Sequence, residues 1–151
     1  MTSHAGAGGP GDDDATPSPW LSVADLAAGF ASGRFDVADV VEAALSRIDA
    51  LDGALQAWSS VWPERARLRA RTLDALPATR RGPLHGVPMA VKDLCDVRGE
   101  PTRAGTVVLG DAPAREDATV VRRLEEAGAV VLGKVKMTEG AFTSHHPSVT
   151  P

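Results

Sequence analysis

The chain has little cysteine, little lysine and no long apolar run. Cys95 is the one cysteine among 151 residues. Neither an intrachain disulfide nor a zinc cluster can form from it, and a reducing, cytoplasmic setting is expected. No apolar stretch approaches the ~20 residues of a bilayer-spanning helix. The N-terminus also lacks the basic and apolar segments of a secretory leader, so no membrane partner is expected. A net charge of −4 argues against a nucleic-acid partner, because phosphate binding needs clustered Lys and Arg. Lysine and arginine together number 16, and only Lys92, Lys134 and Lys136 are lysines. A genome rich in G and C favours arginine codons and accounts for that bias. The scarcity still singles out each lysine.

What is present is ordinary for a globular chain: 43% hydrophobic and 24% charged residues, in a turn-rich sequence with 15 glycines and 11 prolines. Residues 1–19 hold Gly, Ala, Pro, Ser, Thr and the run Asp12, Asp13, Asp14, with no large apolar residue beyond Met1. Such a segment cannot offset its ordering entropy by burial and is expected to be a disordered tail. The acid run reads as a solvated leader; no His or second carboxylate cluster nearby makes it a metal site. Residues 20–151 are expected to form one α/β domain.

Ser22 with Asp25 three residues on predicts a capped helix start. Val23, Leu26, Ala27 and Phe30 then share one helix face, and Gly33 ends it. Asp36 is expected to cap a second helix, with the stripe Val37, Val40, Val41, Ala44, Leu45, Ile48 and Leu51, closed by Gly53. Residues 54–62 read as a strand. Pro63 suits the first turn of a third helix over 63–76, whose alternating Arg65, Arg67, Arg69 and Arg71 are expected to spread over a solvated surface. Val87 to Val91 and Ala129 to Leu132 read as short buried strands, and Asp117 as the cap of a fourth helix that Gly128 ends. Helix, Gly, then apolar strand is the grammar of a layered α/β fold.

The informative stretch contains GPLHGVPMAVKD (82–93), PTRAG (101–105) and EDATVVRRLEEAGAVVLGKVKMTEG (116–140). These elements, in this order, resemble the amidase signature family, whose members carry a G-x-P-(hydrophobic)-x-x-K-D strand and a P-T-x-x-G loop. A D-A-x-x-V-x-x-L-x-x-A-G-A unit and a G-K-x-x-(M/L)-x-E segment come next in that family. The resemblance covers roughly Trp20 to Pro151. It implies the N-terminal part of the amidase signature fold: a mixed β-sheet flanked by helices, preceded by a helical pair and the tail. It also implies hydrolysis of a small amide substrate by the full-length form, through a Ser–cisSer–Lys arrangement without a cofactor or metal.

By that resemblance Lys92 is the base. Free lysine, with a pKa near ~10.4, is a poor base at neutral pH, and burial at the end of an apolar strand is expected to favour its neutral form. Asp93 is expected to support the loop after the strand by accepting backbone N–H bonds. Thr102 and Gly105 match the loop near the site, Gly105 for backbone conformation alone. Cys95 reads as a small buried residue, and His85 as a loop residue in a Gly–Pro turn. His145 and His146 lack a completing metal ligand and are read as a loop leading to the substrate pocket. Ser144 and Ser148 lack the glycine-rich context of a nucleophile with its oxyanion hole. Both catalytic serines are therefore expected beyond Pro151. The chain is accordingly expected to be an inactive N-terminal portion that associates through exposed sheet edges or as a homo-oligomer. A non-catalytic binding or assembly module, and an amidotransferase A-type subunit fragment, are the alternatives. The segment from Glu139 through Gly140, Ala141 and Phe142 to His146 departs from the Phe-Ala and Gly-Ser-Ser turn usual in the latter.

Overall fold

A computed structural model describes residues 21–142; the expected tail over 1–19 and the pair His145 and His146 lie outside them. The order is α1 (Val23–Ser32), α2 (Val37–Leu55), β1 (Trp58–Val61), α3 (Pro63–Asp74), β2 (Pro88–Lys92), α4 (Thr119–Glu126) and β3 (Val130–Val135), with short 3₁₀ turns at Ala78–Arg80 and Glu139–Ala141. The strands form one mixed sheet in the order β1-β3-β2. β1 runs antiparallel to β3 and β2 parallel to it. A parallel pair needs a long crossover, here the loop after β2 and then α4. This is the α/β arrangement of helices on a mixed sheet that the sequence implied.

Each face of the sheet buries its own apolar cluster. Leu26, Phe30, Val40, Val41, Leu45, Ala70 and Leu73 from α1, α2 and α3 pack on Val130 and Leu132. Val91, Val97, Val121 and Val131 form the second cluster on the other face. Each fully buried side chain of this kind contributes about 1.5–3 kcal/mol. Strand alternation alone does not carry β3 to its end. Met89 faces Val131 but Ala90 faces Gly133, so the register slips by one at Leu132. Gly133 is what fits there, because a Cβ would lie 2.1 Å from the Ser60 carbonyl oxygen of β1. Beyond the slip, Lys134 faces Val91 and so shares the face of the second cluster.

The caps divide between local and distant partners. Ser22 and Asp25 make the expected capping box, and Gly33 ends α1 in the left-handed conformation. Asp36 stands at the N-cap of α2 but makes no side-chain cap bond. The carboxylate of Asp74, at the end of α3, accepts instead from Val37 N at 2.7 Å and Ala38 N at 3.0 Å. Asp74→Ala should therefore cost about 1–2 kcal/mol, whereas Asp36→Ala should change little. Urea unfolding of both variants checks this, and equal losses would reassign the cap.

Other boundaries move for similar reasons. α2 runs past Gly53 to Leu55, with Gln56 in the left-handed conformation. Its exit is organised by Asp52, which accepts from Ala57 N at 2.7 Å and Trp58 N at 3.2 Å. The strand expected over 54–62 shortens to β1, and the third helix stops at Asp74. Asp117 does not cap α4, which starts after Ala118; it accepts from Arg98 N at 2.7 Å. Nor are the α3 arginines simply solvated. Arg67 pairs with Glu42 on α2 at 2.8 Å, Arg65 with Glu125 on α4 at 3.2 Å, and Arg69 donates to the Glu125 carbonyl at 2.6 Å.

His85 is a loop residue, but one that belongs to the core. It is 6% exposed, meets Phe30 edge-to-face at 6.0 Å, and leaves its Nδ1 without a partner. Burial lowers its pKa below the ordinary 6.5, helped by the positive charges of Arg81 and Arg69 and opposed by Asp74. The unfolded chain then takes up the proton first, so stability should fall as pH drops below 6.5. His85→Phe should flatten that fall in urea midpoints between about pH 7.5 and 5.5. An equal decline in both proteins would show that other groups cause it.

Candidate active site

β2 ends in the pair Lys92-Asp93, and alternation along the strand sends the two side chains to opposite faces. Lys92 is exposed. The expected burial of this amine is thus not found among the described residues. It leaves the sheet on the face of Ala90, which lines an open, largely apolar groove of about 330 Å³ with Leu51, Leu55, Trp58, Met89 and Leu132.

Asp93 turns inward and is 3% exposed. Its Oδ1 accepts from Arg103 N at 3.3 Å, and its backbone is fixed on both sides. Asp93 N donates to the Val135 carbonyl of β3 at 3.1 Å, and its own carbonyl accepts from Ala104 N at 2.9 Å. The loop from Asp93 to Gly105 is therefore folded back on the end of β2.

The lysine buried beside Asp93 is Lys134, at 0% exposure. Its Nζ lies 3.4 Å from Asp93 Oδ1 and donates to the Pro101 carbonyl at 2.7 Å and to Thr102 Oγ1 at 2.7 Å. The amine thus makes two hydrogen bonds and one ion pair, all with oxygens. Sequence reasoning had not assigned Lys134 a role. Its signals were the scarcity of lysine and its place in the apolar run AVVLGKV; the register slip that turns it inward is not visible there.

Gly105 closes the loop with φ +68, and a Cβ on it would meet the Met137 carbonyl oxygen at 2.6 Å. Both the backbone conformation and this close approach exclude a side chain. The structure thus brings Asp93 and Thr102 together on Lys134, with Gly105 closing the same loop against Met137. It keeps Lys92 apart, on the other face. Cys95 is half-buried against the second apolar cluster.

Elsewhere, Val107, Val108, Leu109 and Phe142 are exposed. Among the described residues no three His, Cys, Asp or Glu side chains converge to hold a metal ion. No helix among them is long and apolar enough to cross a membrane.

A lysine-aspartate strand end, backed by a loop folded onto a mixed sheet, matches a known class of protein. The Amidase family model matches residues 39–150, and the chain belongs to the amidase family. The AmiD protein of Mycobacterium tuberculosis is 45% identical over 141 residues, which cover 91% of this chain and 29% of that protein. The glutamyl-tRNA(Gln) amidotransferase A-type subunit of Anaeromyxobacter sp. (strain K) is 46% identical over 126 residues, 82% of this chain and 26% of that protein. Among solved structures, the native peptide amidase of Stenotrophomonas maltophilia superposes with a TM-score of 0.74 at 38% identity, over 82% of this chain and 26% of that one. The chain thus spans less than a third of the length of these relatives.

Proposed function

We propose that these residues form the base-bearing part of an amide-bond hydrolase working by a Ser–cisSer–Lys mechanism. Lys92 supplies the base. The nucleophilic and bridging serines come from sequence outside residues 1–151, in keeping with the fraction of each relative that the chain spans. The Lys92 amine takes the proton of the bridging serine, which takes that of the nucleophile. The nucleophile attacks the amide carbonyl, the amine leaves with a proton returned along the same path, and water releases the acyl group.

The observation that carries the assignment is the contrast between the two lysines. Lys134 Nζ is wholly buried and committed to Pro101 O, Thr102 Oγ1 and Asp93 Oδ1, so it is not open to an incoming hydroxyl. Lys92, in the K-D element, is the exposed one. Asp93 and Thr102 support the loop behind it.

The test is to read the gene past codon 151, express the complete protein, and assay release of ammonia or amine from simple amides, with Lys92→Ala as the control. A glycine- and serine-rich continuation and activity that dies with Lys92 support the proposal. Full activity in Lys92→Ala would end it. A genuine stop would favour the non-catalytic module. The likeness to an amidotransferase A-type subunit supports a second reading, in which the amide is glutamine and ammonia is passed on; preference for glutamine over other amides would select it.

A further inference from the structure

We infer that Lys134 is a positioning residue for the amide hydrolysis, clamping the end of β2 so that Lys92 leaves the sheet in one fixed direction. The inference rests on Lys92 being the base.

Lys92 sits between two anchored points. Before it, Val91 is 6% exposed and registers with Lys134 across β2 and β3. After it, Asp93 is held by its backbone to Val135 and Ala104 and by its carboxylate to Arg103 N and Lys134 Nζ. The Lys92 carbonyl itself accepts from Cys95 N at 2.9 Å. Lys134 is the member that joins these pieces. From β3 it reaches the residue after Lys92 and, through Pro101 O and Thr102 Oγ1, the turn that closes the loop. One buried ammonium therefore ties together β3, the strand end and a turn some ten residues further along the chain.

The consequence for Lys92 is mechanical. Its side chain is long and exposed, so the direction of its Cα–Cβ bond is set by backbone alone. A catalytic group must be held within ~0.5 Å and about 10–20° of its working geometry. Loss of the clamp frees the Asp93 side chain and the turn at Pro101 and Thr102, and that slack passes to Lys92. A misplacement of about 1 Å costs on the order of 100-fold in rate. The two lysines then divide the work by face: Lys134 holds on the closed face, and Lys92 acts on the open one.

The experiment uses the complete protein and three variants beside Lys92→Ala. Thr102→Val removes one acceptor with little change of shape, and Thr102→Ser puts the hydroxyl back. Lys134→Met with Asp93→Asn removes the clamp without leaving a buried charge. For each, kcat and KM are measured across pH, and the folded fraction by circular dichroism. Thr102→Val should lower kcat on the order of 10-fold, with KM held and the acid limb of the kcat profile displaced; Thr102→Ser should restore both. The double variant should lose on the order of 100-fold. Wild-type kcat and profile in folded Thr102→Val would overturn the inference. So would a fall in kcat that merely tracks the folded fraction with an unmoved profile. If the double variant does not fold, the Thr102 pair decides alone. Survival of activity in Lys92→Ala instead removes the base assignment itself, which separates the two failures.

Discussion

Lys134→Ala is expected to lower the unfolding free energy of the 151-residue chain by about 3–5 kcal/mol. Truncation leaves the Asp93 carboxylate, 3% exposed, without its cation, and strips Pro101 O and Thr102 Oγ1 of their donor. Breaking a buried pair costs far more than the pair itself contributes, because the surviving charge keeps its desolvation penalty. Against a total stability of about 5–15 kcal/mol, that is a large share. Lys134→Met combined with Asp93→Asn should recover part of the loss: Asn keeps an acceptor for Arg103 N and carries no charge. Urea unfolding of the single and double variants gives the coupling directly. A single-variant loss below about 1 kcal/mol would place Lys134 among ordinary surface pairs.

Lys92→Ala is expected to do the opposite: to leave stability within about 0.5 kcal/mol and to abolish hydrolysis by the complete protein. An exposed side chain at a strand end supports little of the core. In the proposed reaction, however, its amine is the proton sink for two hydroxyls in series. General-base catalysis alone is worth about 10²–10⁴-fold, and groups that act as a unit fail together. Lys92→Arg should not rescue the rate, because a guanidinium stays protonated and offers no lone pair. Folding and kcat of the two variants, measured side by side, check both halves of the expectation. Residual activity near wild type in either would point to another base.

Much of the scaffold was legible because its signals are local. The capping box of Ser22 and Asp25, the stripe from Val37 to Leu45 and the proline at the head of α3 each depend on residues within a turn or two. The family was legible for a different reason: four short elements in register are improbable together. What was hidden is long-range. Asp74 caps a helix that starts 37 residues earlier, and no spacing rule links the two. Asp52 outweighs Gly53 at the end of α2 because its carboxylate finds two backbone donors. The end of β2 shows the same limit. Its motif was readable, but the inward turn of Lys134 onto Asp93 depends on one extra residue in β3. The expected burial of Lys92 is not met, since the described residues leave the end of β2 uncovered on its side.

The cap supplied by Asp74 also sets an order of assembly. During synthesis the first turn of α2 emerges well before residue 74, and its two leading amides have only water as partner. They gain their carboxylate only when α3 has formed and docked against α2, alongside the ion pair of Arg67 with Glu42. Neither helix is therefore finished on its own: the nascent chain completes the start of one with the end of the other.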